Sequence, residues 1–204
     1  VYLNEFDQEF QKRGVPFVRY ADDIVLLAKS ERAAKRLLET STNYLEGKLK
    51  LTVNRDKSRV VSVFAIRNFK FLGFALGRNG KGIYVRVHSK SWKKFKSKLR
   101  ELSSRRSVQS IRPALEKIKV YARGWLNYYG IASIKNPIDD INKWLYHRIR
   151  MCIWKQWKKP KTKMRNLLKL GVTKDLAFKT ANSRRGYWFV THTIAVNIAL
   201  TKER

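Results

Sequence analysis

Tyr20-Ala21-Asp22-Asp23 sets two carboxylates side by side between two apolar runs, Phe17-Val18 before and Ile24-Val25-Leu26-Leu27 after. Adjacent carboxylates repel, and each favours protonation of the other unless a cation lies between them. A pair of Mg²⁺ ions relieves that repulsion, because hard divalent ions take carboxylate oxygens and leave positions open to phosphate. The chemistry such a site serves is phosphoryl transfer: one ion lowers the pKa of an attacking hydroxyl, and the other steadies the leaving oxygens. A bare Asp-Asp pair is otherwise an ordinary solvated turn. Here the apolar flanks predict a hairpin over residues 17–28, with the turn projecting from a buried sheet. Asp22 and Asp23 are therefore the candidate metal ligands and catalytic residues.

The surrounding elements must hold that turn. Leu3, Phe6 and Phe10 fall on one helical face, and Gly14 with Pro16 ends the helix. Asp7 and Glu9 lie off the stripe and read as solvated. Ser30 is placed as an N-cap with Glu31 in the first turn, ahead of a helix whose apolar face carries Leu37, Leu38, Tyr44 and Leu45. Leu51-Thr52-Val53 and Val60-Val61-Ser62-Val63 read as short strands around Asn54-Arg55-Asp56-Lys57-Ser58. A run from Phe69 to Leu76, an Asn79-Gly80 turn and a run from Ile83 to Val87 predict a second hairpin. Gly73 inside its first strand signals a close backbone approach, a bulge or a packing glycine.

Beyond His88 the pattern turns helical. Trp92, Phe95, Leu99 and Leu102 form one stripe, and Leu115, Ile118, Ala122, Trp125 and Tyr129 another, with Pro113 in the first turn of the second helix. A third helix is predicted with Asn136 as its cap, Pro137 first and Asp139 and Asp140 facing the dipole. It runs through Ile141, Leu145, Ile149 and Cys152 until Pro160 ends it. Lys161-Thr162-Lys163 then opens a basic linker toward a last helical segment. Short connections between three such helices predict a small bundle.

Charge is distributed unevenly. The 204 residues carry +31, with a pI near 10.6. Through Asp56 there are ten Lys/Arg against nine Asp/Glu, a net of +1; from Lys57 onward there are thirty-six against six, a net of +30. Self-repulsion at that density opposes compaction, and a polyanion relieves it. Six Trp and nine Tyr interleaved with the bases favour nucleic acid over a membrane surface. No apolar stretch approaches the roughly 20 residues of a membrane span. Single Cys152 excludes an internal disulfide and fits a reducing compartment. Lys93, Lys96 and Arg100 share a helix face, and Arg105-Arg106 and the run from Lys155 to Arg165 are denser; these are the candidate phosphate contacts. Most Trp and Tyr residues at helical spacing read as core, with Trp157 and Trp188 as the candidates for base stacking. His88, His147 and His192 are too scattered in sequence to suggest a metal site. Val1 in place of an initiating methionine suggests a piece of a longer protein.

In order and spacing, these blocks resemble the C-terminal half of a bacterial group II intron-encoded protein, a reverse transcriptase and maturase. Tyr20-Ala21-Asp22-Asp23 matches that family's catalytic box, Leu51 to Ser58 its LxxNxxKS/T block, and Phe71-Leu72-Gly73-Phe74 its FLGF primer grip. Ala122-Arg123-Gly124-Trp125-Leu126-Asn127-Tyr128-Tyr129, with Trp144 to Lys159, is similar to the maturase-specific thumb. The resemblance implies an α+β chain. Residues 1–87 would be the end of a right-hand polymerase palm, 88–160 an all-α three-helix thumb, and 161–204 a basic helical extension. It implies that Tyr20, Ala21 and Asn54 lie at the nucleotide, and that Lys57 neighbours its phosphates and assists proton transfer to pyrophosphate. Phe71, Leu72, Gly73 and Phe74 would meet the primer end. Arg123, Lys155, Lys158, Lys159, Lys161 and Lys163 would join the RNA-binding surface.

Implied partners are group II intron RNA, an RNA template with its DNA primer, dNTP and a DNA target, with no membrane. The implied setting is a ribonucleoprotein in the bacterial cytoplasm. The family's two-Mg²⁺ site needs a third carboxylate from an earlier palm strand, which these 204 residues lack together with the fingers. RNA-directed DNA polymerisation is thus expected of a longer parent and not of this stretch alone. The alternative is a non-catalytic RNA-binding splicing factor that keeps the acidic turn only as a relic of the palm.

Overall fold

Phe6 and Phe10 stand one turn apart on helix α1 (Asn4–Lys12), and both are fully buried. Their rings stack with centroids 4.2 Å apart, and Tyr44 meets each edge-on. Burying each Phe contributes about 1.5–3 kcal/mol. The computed structural model describes residues 2–62, 65, 69–106 and 108–201. The chain divides into two compact units, Val1–His88 and Ser89–Arg204. The first is mixed α+β and the second all-helical.

In the first unit, strands β1 (Phe17–Tyr20) and β2 (Asp23–Leu26) pair antiparallel, with Phe17 opposite Leu26 and Tyr20 opposite Asp23. Phe17, Ile24 and Leu26 lie on the face that packs against Phe6, Phe10 and Leu49. Helix α2 (Glu31–Asn43) adds Leu37, and continues into a π-helical turn over Tyr44–Lys48 that adds Tyr44 and Leu45. The backbone N–H of Ala33 donates to the Ser30 hydroxyl at 3.2 Å, so Ser30 is the cap its sequence context predicts.

Three expectations for this unit change. The acidic turn does not project from a buried sheet: Val18 and Tyr20, on the outer face, are 56% and 65% exposed. Residues 51–53 and 60–62 form no strand, because no partner strand is hydrogen-bonded to them among the described residues; Val63 lies outside the described residues. The second hairpin begins later than predicted, with β3 (Phe74–Asn79) paired to β4 (Gly82–Val87).

Ahead of β3, Phe71 and Phe74 exchange both backbone hydrogen bonds, at 3.1 and 2.8 Å, around Leu72 and Gly73. Both central residues have positive φ, +51° and +81°. That is the requirement of a mirror-image type I′ turn. Gly73 is therefore a turn glycine, not a bulge within a strand.

In the second unit, α3 (Ser89–Leu102), α4 (Ile111–Tyr129) and α5 (Lys135–Gln156) meet around Phe95, Leu99, Ile118 and Ile141. Trp92, Tyr121, Trp125 and Trp144 close the edges of this core. Phe95 stacks on Trp125 with centroids 4.2 Å apart. Helix α5 starts earlier than its sequence suggests: Ile134 is the N-cap, Pro137 sits third, and no acidic side chain lies in the first turn. Pro137 tolerates that position because the first helical N–H groups have no intrahelical partner.

Pro160 likewise opens a helix where a stop is predicted. It is the first residue of α6 (Pro160–Lys169), so Lys161 and Lys163 are helical and not part of a linker. Helices α7 (Lys174–Ala181), α8 (Tyr187–Val190) and α9 (Ile194–Ala199) follow. They enclose a second core of Leu167, Val172, Ala177, Val190, Ala195, Val196 and Ala199 against Trp154 of α5. These helices fall in the same compact unit as the three-helix bundle. No helix among the described residues is long and apolar enough to cross a membrane.

Candidate metal-binding hairpin and nucleic-acid interface

The acidic pair occupies the tightest part of the first hairpin. Ala21 and Asp22 connect the paired residues Tyr20 and Asp23, and Ala21 takes φ +51°. For a residue with a Cβ that region costs roughly 1–2 kcal/mol, so the turn needs support. Arg19 supplies it: Nη1 donates to the Ala21 carbonyl at 3.1 Å, while Nε donates to Asp7 Oδ1 at 2.8 Å. A further bond from Arg19 Nη2 to Asp7 Oδ2 completes a fork between guanidinium and carboxylate. Asp7 is therefore not a solvated bystander but ties α1 to the hairpin. The hydrogen bonds from Arg19 hold its carboxyl below the ordinary 3.8, against an opposing effect of burial. Nothing in the sequence pairs residues 7 and 19; only folding brings them together.

Asp22 and Asp23 are exposed, and Asp23 shares the uncovered face of the hairpin with Tyr20. No group of three His, Cys, Asp or Glu among the described residues is placed to hold a metal ion. The available donors are thus two hard carboxylates, which suit a Mg²⁺-type ion but supply only part of its shell.

Asn54 organises its own turn. Its side-chain Oδ1 accepts from the Lys57 backbone N–H at 3.1 Å, and its carbonyl accepts from those of Lys57 and Ser58. Arg55 is drawn to Glu46 at 3.0 Å, while Lys57 stays exposed. Among the described residues Lys57 makes no hydrogen bond or ion pair with either Asp of the hairpin. Phe71, Leu72, Gly73 and Phe74 form the type I′ turn described above.

On the second unit, Lys93, Lys96, Arg100, Arg105, Arg106, Arg123, Lys155, Lys158, Lys159 and Lys161 are all exposed. Several are steadied without a carboxylate. Lys96 Nζ lies 5.1 Å from the Trp144 ring centre. Lys155 Nζ donates to the Arg105 carbonyl at 2.7 Å, and the Arg105 guanidinium sits 5.2 Å over Tyr187. Lys163 differs: half-buried between the rings of Trp154 (4.9 Å) and Tyr187 (5.8 Å), it is first a packing residue.

Of the two stacking candidates, Trp157 leans into the second core, whereas Trp188 is 45% exposed. Arg148 carries no flag in its sequence, yet its Nε donates to Ser103 Oγ at 2.7 Å and its Nη2 to the Arg100 carbonyl at 2.9 Å. It thereby caps the C-terminal end of α3 with a cation. His147 and His192, scattered in sequence, stack with centroids 3.8 Å apart beside Trp188. Burial pushes the His147 imidazole below its ordinary 6.5, and His192 and Arg150 push the same way.

The chain thus pairs an exposed acidic hairpin turn in an α+β unit with a strongly basic helical unit. Residues 1–76 match the family model for reverse transcriptase (RNA-dependent DNA polymerase), and residues 92–171 that for the group II intron maturase-specific domain. The chain belongs to the group II intron reverse transcriptase/maturase family. It is also similar to Protein YkfC of Escherichia coli (strain K12), at 41% identity over 68 residues. That alignment takes in 33% of this chain and 17% of YkfC. The maturase match continues to residue 171, past the boundary at 160 that the sequence pattern suggests.

Proposed function

We propose that this chain supplies the acidic turn and the RNA-binding thumb of an RNA-directed DNA polymerase that also assists splicing of a group II intron. The single observation that carries this reading is the tethered turn. Arg19 and Asp7 brace a tight, positive-φ turn that presents Asp22 and Asp23 side by side. Mg²⁺ held by those two residues and by a carboxylate outside the chain would supply hydroxyl activation and phosphate charge neutralisation. The chain's own part is to orient the pair, to offer Lys57 as a cation for the dNTP phosphates, and to set the turn of Phe71 to Phe74 against a primer end. The thumb would track intron RNA and the template–primer duplex through its exposed bases, in a cytoplasmic ribonucleoprotein that also engages a DNA target.

The test is primer extension on an RNA template by a polymerase-competent protein that contains these residues. Asp22→Ala with Asp23→Ala should abolish cDNA synthesis and leave RNA binding intact; surviving synthesis would refute the metal assignment. The 204 residues alone should bind RNA without extending a primer, and any extension by them would overturn the need for a third carboxylate. A second reading is a splicing factor without polymerase activity, in which the two carboxylates at the turn are a relic of the palm. A parent protein that splices but makes no cDNA, with or without the double substitution, would select it.

A further inference from the structure

Alongside the loop that joins α3 to α4 lies a cleft of about 450 Å³. Arg105, Arg106, Arg148, Tyr187 and Trp188 line it, with Met151 contributing an apolar contact. Among the described residues none of the three arginines is in an ion pair. Two are held in place: Arg148 by the Ser103 and Arg100 carbonyls, and Arg105 by its stack over Tyr187 with its own carbonyl bound to Lys155. The positive charge is therefore arranged before any ligand arrives, which lowers the ordering cost of binding.

The aromatic lining is equally unusual. Tyr187, Trp188 and Phe189 are consecutive, and all are more than a third exposed, directly after Arg184 and Arg185. Trp188 touches the His147 and His192 rings at tilted and edge-on angles, with centroids 5.9 and 5.1 Å away, and its carbonyl is 2.7 Å from His192 Nδ1. With 45% of its surface exposed, the indole offers area for base stacking, and cations beside it suit a phosphate.

We infer that this cleft binds one unpaired nucleotide of single-stranded RNA, its base against Trp188 and its phosphate at Arg105 and Arg106. The volume lies within the roughly 300–1,000 Å³ of small-ligand pockets. A paired base cannot reach such a ring, because its faces are already covered in the duplex. An acidic peptide would use the arginines but leave the aromatic face idle. The inference rests on the RNA-binding reading above and adds to it a defined site and strand state.

The test uses the 204-residue chain and an unstructured twelve-nucleotide RNA carrying one 4-thiouridine. Irradiation should crosslink it to Tyr187 or Trp188. Trp188→Ala should weaken binding roughly five- to hundred-fold, the usual range for one lost base stack. Trp188→Phe should restore most of that affinity and also guards against misfolding, which thermal melts would reveal. Arg105→Gln with Arg106→Gln should reduce the log–log salt slope by about 1.4. Unchanged affinity in a folded Trp188→Ala variant, or crosslinks confined to other helices, would overturn the assignment. Equal affinity for the matching DNA oligonucleotide would overturn the choice of RNA. If the unaltered chain binds no RNA, the broader reading fails; if it binds RNA and the variants bind as well, the cleft alone does.

Discussion

Val1–His88 carries seventeen Lys/Arg against nine Asp/Glu, whereas Ser89–Arg204 carries twenty-nine against six. In the first unit two ion pairs join distant segments, Arg19 to Asp7 and Arg55 to Glu46. In the second, among the described residues, the ion pairs are the exposed helical neighbours Lys98–Glu101 and Lys119–Glu116, a type worth a few tenths of a kcal/mol. Several of the surplus cations lean on rings and carbonyls instead. Arg148 and Lys96 lie over Trp144, Arg185 lies over Phe189, and Arg150 Nε donates to the Leu200 carbonyl at 3.0 Å. A carboxylate neutralises a cation; a ring or a carbonyl holds it in place and leaves its full charge for another partner. One unit uses opposite charges in its own geometry, and the other leaves most of its positive charge without an acidic partner in an ion pair among the described residues.

The largest effect should come from removing the acid that the first unit does not use internally. In the polymerase-competent protein, Asp22→Ala with Asp23→Ala should cut cDNA synthesis by at least about a thousand-fold, the several kcal/mol that a metal clamp on phosphate supplies. Filter binding of RNA should be unaffected if, as proposed above, RNA is bound by the other unit. Next in size is the core on which the basic unit depends. Phe95→Ala, in a buried stack on Trp125, should cost about 3–5 kcal/mol in denaturant melts and weaken RNA binding by unfolding the bundle.

Charge removal without damage to the core gives a smaller and more specific change. Lys158→Gln with Lys159→Gln should lower the log–log salt slope of RNA binding by about 1.4–1.8 if both contact phosphate. An unchanged slope would assign those lysines to solvent and blur the contrast between the units. The smallest effect concerns the internal ion pair. Since Asp7 has its carboxyl lowered beneath 3.8 by Arg19, its contribution is complete above that pH and is lost as the pH falls through the lowered folded value. Asp7→Asn should therefore weaken the first unit at neutral pH and reduce its further loss of stability on acidification, as read by thermal melts from pH 7 to 2.

Much of this architecture could be read from local pattern. The stripe of Trp92, Phe95 and Leu99, the cap at Ser30 and the acidic turn at Asp22 and Asp23 each depend on residues within a few positions of one another. Errors gathered where one residue type serves two purposes. Pro160 can end a helix or begin one, and which it does here is decided by Trp154 and Leu167 packing together across it. Gly73 can mark a bulge or a turn, and the paired hydrogen bonds of Phe71 and Phe74 select the turn. Residues 51–53 have strand-like composition, but a strand needs a neighbour to bond with. Asp7 and Arg148 were missed because their partners lie far along the chain.

The sequence by itself determined the kind of protein this is. The acidic box, the asparagine–lysine block, the FLGF turn and the basic helical run are local, and their types and order survive without coordinates. Only the tertiary structure decided how those parts are held and what else the surface can do. It joined Asp7 to Arg19 beside the acidic turn, packed the helices between Pro160 and Ala199 into one unit with the three-helix bundle, and brought Trp188 to the same cleft as Arg105 and Arg106. These are juxtapositions of segments distant in sequence, created by burial of shared apolar cores, and no local pattern of residues encodes them.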